Sequence, residues 1–352
     1  MFRLILGVLG VVLVLGVVRI GYVVTRASGA LSHPEYTDNA ACTPVEIAPG
    51  TEDVTYDAVS GLAFVSAAER RSGEMHPRNG IYVFDPADPE SVRLVSVDAP
   101  ADFRPHGISL WRGEIESGEP LARLFVISHP YSGHQVLIYD VAEDGALSHL
   151  QTVSYDALRS PNDIVGVGPE QFYATNDVYF GDTIMGYLEA FLGLPLGSIS
   201  YYDGQEGRIV AEGLAYANGI NINADGSEVY ASGFIGRTLH VFDRDADTAE
   251  LNRTARHPVP LGLDNIEVGP DGDLYIAGNV SVFDFLAHQK DPEARAPAQA
   301  VRVDPQTGDW TTVFADSGEA IDSPSVATRA GDQLLLGAVF DSHVLVCPYM
   351  AN

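Results

Sequence analysis

Six short segments of the sequence begin with side chains that can bind a cation or move a proton. They start near residues 51, 104, 160, 216, 263 and 322, so their spacing is roughly 45 to 60 residues. The polar residues at or near these starts are Glu52, Asp53, His106, Asn162, Asp163, Asn218, Asp264, Asn265 and Ser323. Such a series indicates one structural unit that is repeated and presents a chemically active group at the same place in each copy.

The elements that position these groups are predicted from the residues that follow them. After each start comes a short apolar stretch, such as RLFVISH from Arg123 or DLYIAGN from Asp273, and then a further extended stretch. Turn residues such as Asp225-Gly226 join the first two stretches, which is typical of a β-hairpin. Six units of three or four strands with this period predict an all-β fold, a six-bladed β-propeller.

No Pro- or Ser-rich linker divides the chain, so one propeller domain is expected over residues 31–352, after a hydrophobic segment at residues 1–30. Only GDTIMGYLEAFLGLP from Gly181 has a helical pattern, which predicts a helix between two blades. Aromatic residues around it are expected in the core, with an acyl-binding wall or a membrane-facing lip as the alternative. They are Tyr179, Phe180, Tyr187 and Phe191.

In a propeller, the corresponding ends of the innermost strands face one mouth of the central channel. Buried carboxylates and amides that converge there are costly unless a cation pairs with them. Side-chain oxygens of Glu, Asp and Asn match the preference of Ca²⁺ for about six to eight oxygen ligands. The repeated polar positions therefore predict central calcium sites, although any one of them alone would more simply be a turn.

The net charge of the chain is −28 at pH 7, with 48 acidic residues against 20 lysines and arginines. An acidic surface repels phosphate backbones, so we expect no nucleic-acid partner. The charge is compatible with cation binding, and a solubilising surface explains most of the excess.

The N-terminus contains an apolar run from Leu4 to Val18, 15 residues long, which Ile20 to Val24 extends past Arg19. The shorter run matches the hydrophobic part of a signal peptide, whereas the longer run could span a bilayer as a signal-anchor. Both alternatives predict export. The expected location is extracytoplasmic, either secreted or attached to a membrane through this segment.

Only two cysteines are present, Cys42 and Cys347, and they bracket almost the whole region after the hydrophobic segment. In an exported protein, a pair at the two ends predicts one disulfide that ties the termini together. Two unrelated buried thiols are the alternative.

At the repeated polar positions and at the two cysteines, the sequence resembles the paraoxonase (serum paraoxonase/arylesterase) family. The resemblance extends from Cys42 to Cys347 and includes, in order, GTEDVTYD, RPHGISL, VISHP, PNDIVGVGPE, FYATND, ANGIN and LDNI. Paraoxonases are six-bladed propellers with two calcium ions in the channel, and they hydrolyse lactones, aryl esters and, weakly, some phosphotriesters. The resemblance therefore implies two Ca²⁺ ions, a small-molecule lactone or ester as substrate, and an uncleaved N-terminus.

The family motifs also imply roles for individual residues. The catalytic calcium would be held by Glu52, Asn162, Asn218, Asp264 and Asn265. The structural calcium would be held by Asp53, Asp163 and the backbone carbonyl of Ile108. His106 and His129 match the histidine pair of the family, and Cys42 and Cys347 match its disulfide. Val178 and Asn279 stand where the family has two further histidines.

The predicted reaction is hydrolysis of a lactone or ester whose carbonyl oxygen is polarised by calcium. We expect His106 to remove a proton from the attacking water and His129 to orient His106 or relay the proton. The other histidines, His134 and His240 among them, are interpreted as surface or packing residues. Alternatives are a sugar-lactone hydrolase or a phosphotriesterase on the same fold, and a non-enzymatic calcium-stabilised propeller that binds a partner.

Overall fold

A computed structural model describes residues 2–30, 32, 34–114, 118–181 and 183–350. The chain begins with helix α1 (Phe2–Ala27), whose side chains are described at Val14 and from Gly16 onward. Within the part of the chain so described, no helix is both long enough and apolar enough to cross a membrane. Most of the run from Leu4 to Val18 lies outside the described side chains, so the predicted signal-anchor or signal peptide stays a prediction.

The strands form six four-stranded antiparallel sheets around one axis. The first strand is β1 (Thr43–Glu46). Blade 1 contains β2 (Thr51–Asp57), β3 (Leu62–Ala67), β4 (Gly80–Asp85) and β5 (Asp88–Leu94). Blade 2 contains β6 (Pro105–Glu114), β7 (Pro120–Ser128), β8 (Gln135–Val141) and β9 (Leu147–Val153). Blade 3 contains β10 (Pro161–Gly166), β11 (Phe172–Asn176), β12 (Gly197–Tyr202) and β13 (Gly207–Leu214), with helix α2 (Ile184–Leu192) between β11 and β12.

The second half of the chain repeats this arrangement. Blade 4 contains β14 (Ala217–Ile222), β15 (Glu228–Gly233), β16 (Thr238–Arg244) and β17 (Leu251–Pro258). Blade 5 contains β18 (Gly262–Val268), β19 (Leu274–Asn279), β20 (Ala298–Val303) and β21 (Trp310–Asp316), with helix α3 (Val282–Lys290) between β19 and β20. Blade 6 contains β22 (Pro324–Ala330), β23 (Gln333–Ala338) and β24 (His343–Pro348), and β1 is its outer strand. The predicted six-bladed propeller is confirmed.

The two ends of the chain close the ring of blades. Strand β1 pairs antiparallel with β24, from Thr43 opposite Val346 to Glu46 opposite His343. Next to this pairing, Cys42 and Cys347 form a disulfide that links residues 305 positions apart. The predicted disulfide is therefore confirmed, and it ties together the same two strands that complete blade 6.

The hydrophobic core is divided among the interfaces between blades. Six clusters of buried apolar residues each join two neighbouring blades, as Phe125 of blade 2 and Phe172 of blade 3 illustrate with ring centroids 5.7 Å apart. The strands supply these contacts because both faces of the second strands are buried, as in β11 and β19. Packing between blades, rather than one central core, thus fixes the channel.

Two features of the helices differ from expectation. Helix α2 lies within blade 3 rather than between blades. The aromatic residues around it are exposed, with Tyr187 73% and Phe191 50% accessible, so their assignment to the core is wrong. The alanine- and charge-containing segment that forms α3 gave no clear helical period, and its helix was not predicted.

Candidate functional site

Every innermost strand contains a β-bulge at its channel end. The pairing of each with the next strand shifts register at Thr51/Asp53, Pro105/Ile108, Pro161/Ile164, Ala217/Ile220, Leu263/Ile266 and Pro324/Val326. The predicted residues Glu52, His106, Asn162, Asp163, Asn218, Asp264 and Asn265 lie at or inside these shifts. A bulge leaves one residue without a ladder partner and re-aims its side chain. The repeated bulge explains how polar side chains on successive blades are turned toward the channel.

The first set of predicted ligands is buried and carries oxygens without hydrogen-bond partners. Its five members, which are 2–7% exposed, are Glu52, Asn162, Asn218, Asp264 and Asn265. Four buried side-chain oxygens have no partner among the described residues: Glu52 Oε2, Asn162 Oδ1, Asn218 Oδ1 and Asn265 Oδ1. The amide of Asn265 donates to Glu52 Oε1 at 3.1 Å, which places blades 5 and 1 in contact. Buried polar atoms are almost always paired, so this unpaired oxygen set fits a bound hard cation such as Ca²⁺.

The electrostatics of the channel also favour a cation. Burial raises the pKa of Asp264 well above its usual value, and repulsion from Glu52 and Asp53 adds to this, against a hydrogen bond with Asn218. Glu52 differs, because the charge and hydrogen bond of His106, together with Arg70 and Asn265, outweigh its burial and lower its pKa. A divalent cation among these oxygens would offset the repulsion and favour the charged carboxylates.

The second set of predicted ligands lines a cavity separate from that of the histidines. Asp53 Oδ2 accepts a hydrogen bond from the backbone N–H of Ile108, and Asp163 Oδ2 accepts one from Ile220, both at 2.7 Å. Each carboxylate therefore joins two consecutive blades. Burial, followed by repulsion from neighbouring carboxylates, raises the pKa of both groups well above the usual value. Asp53, Asp163 and Ile108 line one cavity of about 190 Å³, which could hold a second cation.

Hydroxyl groups on second strands hold the backbone of the site. Thr175 donates to the carbonyl of Asn218 at 2.5 Å, and Ser232 donates to that of Asp264 at 2.8 Å. In each case the donor lies one blade before the acceptor. These bonds orient the bulged residues without using the side-chain oxygens that could bind metal.

Two glycines allow the blades to approach closely at the site. A Cβ on Gly107 would lie 2.5 Å from Asp163 Oδ1, and a Cβ on Gly219 would lie 2.5 Å from the carbonyl oxygen of Asp264. The second clash involves backbone atoms, which cannot move away as a flexible side chain can. The Gly in each PHGI and ANGI segment is therefore required by the neighbouring blade.

Three histidines form a hydrogen-bonded chain that begins at the ring of oxygens. Nε2 of His106 lies 3.5 Å from Glu52 Oε1, and its Nδ1 lies 2.8 Å from Nε2 of His129. Nδ1 of His129 lies 2.8 Å from Nδ1 of His134, which is half-buried. Burial, and then the neighbouring His106 and His134, lower the pKa of His129 well below its usual value. The middle ring is thus a neutral imidazole that donates at one nitrogen and accepts at the other.

A cavity of about 270 Å³ opens above this chain and is lined by all three histidines. Arg70 also lines it, and its guanidinium donates to the carbonyls of Gly50, Ala68 and Pro105. These bonds hold a positive charge between the histidines and the carboxylates. The cavity is a pocket in which a small molecule could contact His106, His129 and Arg70 together.

The two positions that depart from the family motifs have different environments. Val178 is buried and apolar, 6% exposed. Asn279 is also buried, but neither Nδ2 nor Oδ1 of its amide has a partner among the residues described.

Ser323, at the sixth repeated position, has a buried hydroxyl without a partner among the described residues and a positive φ of 49°. The strained backbone and the free hydroxyl are typical of a functional position.

Another group of one histidine and two aspartates lies outside the predicted ligand sets, and its imidazole is not available to a metal. Ligand atoms of His288, Asp322 and Asp341 approach within 4.8 Å of one another. Nη2 of Arg71 lies 2.8 Å from Nε2 of His288, and since arginine only donates, that nitrogen accepts. Nδ1 of His288 then donates to the carbonyl of Ala294 at 2.6 Å. No lone pair of the imidazole remains for a cation.

Sequence reasoning identified the bulged residues and missed those that support them. His134 was assigned to surface or packing, although it follows His129 by five residues in HPYSGH. The signal in the sequence was the short spacing, because the turn between β7 and β8 brings His129 and His134 to the same end of the channel. In the sequence, Thr175 and Ser232 could be recognised only as small or polar residues near the ends of second strands.

The fold and the site define a class of β-propeller whose channel is lined by oxygens and histidines. Comparisons with known proteins show the family to which the chain belongs. The family model described as arylesterase matches residues 80–348. The chain is 32% identical over 314 residues to serum paraoxonase/arylesterase 2 of Gallus gallus, covering 84% of both chains. It is 32% identical over 313 residues to serum paraoxonase/arylesterase 1 of Homo sapiens, again covering 84% of both chains. The chain belongs to the serum paraoxonase/arylesterase family.

Solved structures show the same fold at low identity. A luciferin-regenerating enzyme aligns with a TM-score of 0.55 and 13% identity, covering 88% of this chain and 98% of that chain. A calcium-binding protein, regucalcin from Agrobacterium tumefaciens, aligns with a TM-score of 0.51 and 14% identity, covering 87% and 90%. These likenesses support the propeller architecture.

Substitution of Gly219 by alanine tests the close approach of blades 4 and 5. The added Cβ would force the Asp264 backbone away, so we expect the free energy of unfolding to fall by about 1–3 kcal/mol. The matched control is Gly236→Ala in the same blade, where a Cβ would meet nothing closer than 3.4 Å. Urea unfolding of both variants measures the difference, and equal stability of G219A and G236A would contradict the packing described.

Proposed function

We propose that the protein is a calcium-dependent hydrolase that opens lactones and cleaves aryl esters. The observation that carries this proposal is the set of four buried, unpaired oxygens beside His106. Nε2 of His106 lies 3.5 Å from Oε1 of Glu52, which belongs to the same set of residues. Family membership supports the reaction class, since the curated relatives are named serum paraoxonase/arylesterase.

The proposed ligands of the catalytic ion are Glu52, Asn162, Asn218, Asp264 and Asn265. A second, structural ion is proposed between Asp53, Asp163 and the carbonyl of Ile108. The supporting observations are the purely oxygen donor set, the raised pKa of the buried carboxylates and the separate cavity that Asp53, Asp163 and Ile108 line. When bound, the calcium supplies a Lewis acid that stabilises negative charge developing on a carbonyl oxygen.

His106 is the proposed base. The attacking water loses a proton to Nε2 of His106 as its oxygen bonds to the carbonyl carbon. The C–O bond of the ester or lactone ring then breaks, and the leaving oxygen takes the proton back from the imidazolium. The amides of Asn162 and Asn218 lie in the same ring and orient the carbonyl by hydrogen bonding.

The histidine chain sets which nitrogen of His106 is free. The charge and hydrogen bond that lower the pKa of Glu52 belong to the protonated His106 ring. In the neutral ring that acts as base, Nε2 carries the lone pair and Nδ1–H of His106 donates to Nε2 of His129. Nδ1–H of His129 then donates to Nδ1 of His134, which must accept. The opposite direction would place a hydrogen on Nε2 of His106 and remove the base. His134 is therefore proposed as a positioning residue that selects the active tautomer through His129.

Export is proposed from the same features. The disulfide between Cys42 and Cys347 supports an oxidising compartment, and the hydrophobic N-terminus supports secretion or membrane anchoring. The substrate is expected to be a small molecule that fits the cavity of about 270 Å³ above the histidines.

Chelation tests metal and reaction together. With phenyl acetate, an acyl-homoserine lactone, an aldonolactone and an aryl phosphotriester as substrates, we expect lactone and aryl ester hydrolysis to be fastest. A chelator should abolish both activities and added calcium should restore them, because the carbonyl is polarised by the ion.

The control for this experiment is a pair of acid-to-amide variants. Asp264→Asn removes one charge from the proposed ligand set and should weaken calcium binding by on the order of tenfold or more. Asp247→Asn removes the same charge from an exposed turn and should leave calcium binding unchanged.

In the substrate panel, faster turnover of the aldonolactone or the phosphotriester would favour those reactions. Bound calcium without hydrolysis of any substrate would favour a binding propeller.

Variants of the histidine chain test the proposed direction of its hydrogen bonds. His106→Gln should lower kcat by about 10²- to 10⁴-fold through loss of the base. His134→Leu should lower kcat by about 10- to 100-fold with little change in KM, because His129 loses its acceptor. His134→Asn, whose amide oxygen can accept the same hydrogen, should stay within about threefold of the parent.

Calcium content and Tm should be unchanged in both His134 variants. His149→Leu, an exposed histidine of β9, is the matched control and should keep full activity. The assignment of His134 is wrong if H134L keeps the parental kcat, or if H134N loses as much activity as H134L.

A further inference from the structure

A second cavity, of about 270 Å³, lies outside the channel between α1 and the outer strands of blade 4. Arg19, Tyr22 and Arg26 of α1 form one wall. His240 of β16 and Arg256 of β17 form the opposite wall, and the residues after α2 close the side. None of these residues belongs to the proposed catalytic machinery.

The charge of this cavity is opposite to that of the chain as a whole. Three arginines line it, and no aspartate or glutamate does so among the residues that the structure describes. Over the same residues, none of the three arginines forms an ion pair. With 48 acidic residues against 20 basic ones, three arginines meeting without a carboxylate is an unusual arrangement.

The contacts of Arg19 and Arg26 fix these two side chains in place without neutralising them. Arg19 donates to the carbonyls of Leu192 and Gly193 at the end of α2, and Arg26 donates to the hydroxyl of Tyr22 at 2.9 Å. Both guanidiniums also lie over the Tyr22 ring, 5.8 and 5.6 Å from its centroid. The nearby Arg237 reports the same positive field, since burial and then Arg26 lower its pKa to about 10.

His240 adds an independent sign of a ligand. Its side chain is 4% exposed, and its Nδ1 is buried with no partner among the described residues. Burial, with Arg253 and Arg256, lowers its pKa to about 3, so the ring is neutral at physiological pH. A neutral imidazole can place its single N–H on Nδ1 and donate it to an anion. His240 lines the cavity and its Nδ1 has no partner among the described residues, so a group bound there could accept its N–H.

We propose that this cavity binds a phosphate group, with Arg19, Arg26 and Arg256 supplying charge and His240 supplying a neutral hydrogen-bond donor. Guanidinium groups match phosphate oxygens in pairs, and several converging on one cavity are typical of phosphate recognition. The cavity is below the size of a pocket for a drug-sized molecule, which suits a phosphate with a short ester substituent. The source is either a phospholipid headgroup or a soluble phosphate ester.

The test uses the full-length, calcium-loaded protein and two kinds of probe. Glycerol 3-phosphate in calorimetry represents a soluble phosphate ester. Flotation with phosphatidylcholine vesicles, with and without phosphatidylglycerol, represents a lipid headgroup. The variants are Arg256→Gln, in which an exposed residue of β17 changes, and Arg26→Gln. The matched control is Arg208→Gln, which removes the same charge from the neighbouring blade outside the cavity.

We expect the parent to bind at least one probe saturably, and each of R256Q and R26Q to weaken that binding by about tenfold. R208Q should bind as the parent does, and all variants should keep the parental Tm. Binding of glycerol 3-phosphate alone identifies a soluble ester, and vesicle binding that R256Q abolishes identifies a headgroup. The proposal is overturned if neither probe binds, or if R208Q weakens binding as much as R256Q does.

Discussion

Repulsion among buried carboxylates in one channel is the constraint that organises this molecule. Glu52, Asp53, Asp163 and Asp264 are each no more than 5% exposed, and burial raises the pKa of the three aspartates well above the usual value. Such a cluster is unstable unless cations or protons compensate it. The proposed calcium ions would neutralise these charges and pair with the unpaired oxygens.

The architecture around the channel serves to bring these groups together. Bulges turn the side chains inward, glycines such as Gly219 let neighbouring blades touch, and hydroxyls such as that of Thr175 hold the bulged carbonyls from the blade before. The disulfide between Cys42 and Cys347 holds the first and last strands of the ring in place. The close approach at Gly219 and the hydrogen bond from Thr175 act between blades, so a change at one interface is expected to reach the proposed ion sites.

Much of this was predictable from the sequence because a repeat places chemistry at fixed intervals. The repeated hairpins predicted the fold, and the polar residues at Glu52, Asn162 and Asn218, which recur with the blade period, predicted a set of channel oxygens. What failed depended on contacts that have no period. Tyr187 and Phe191 were assigned to the core by residue type, yet α2 projects from blade 3 and exposes them.

The contact between His134 and His129 was missed for a related reason, since only the folded turn after β7 brings the two rings together. The most direct test of the account is the unfolding of the full-length protein in urea at a series of free calcium concentrations. Two ions bound only to the folded state predict a free energy of unfolding that rises by about 2.7 kcal/mol for each tenfold increase in calcium above the dissociation constants. A free energy of unfolding that does not change with calcium would contradict the account.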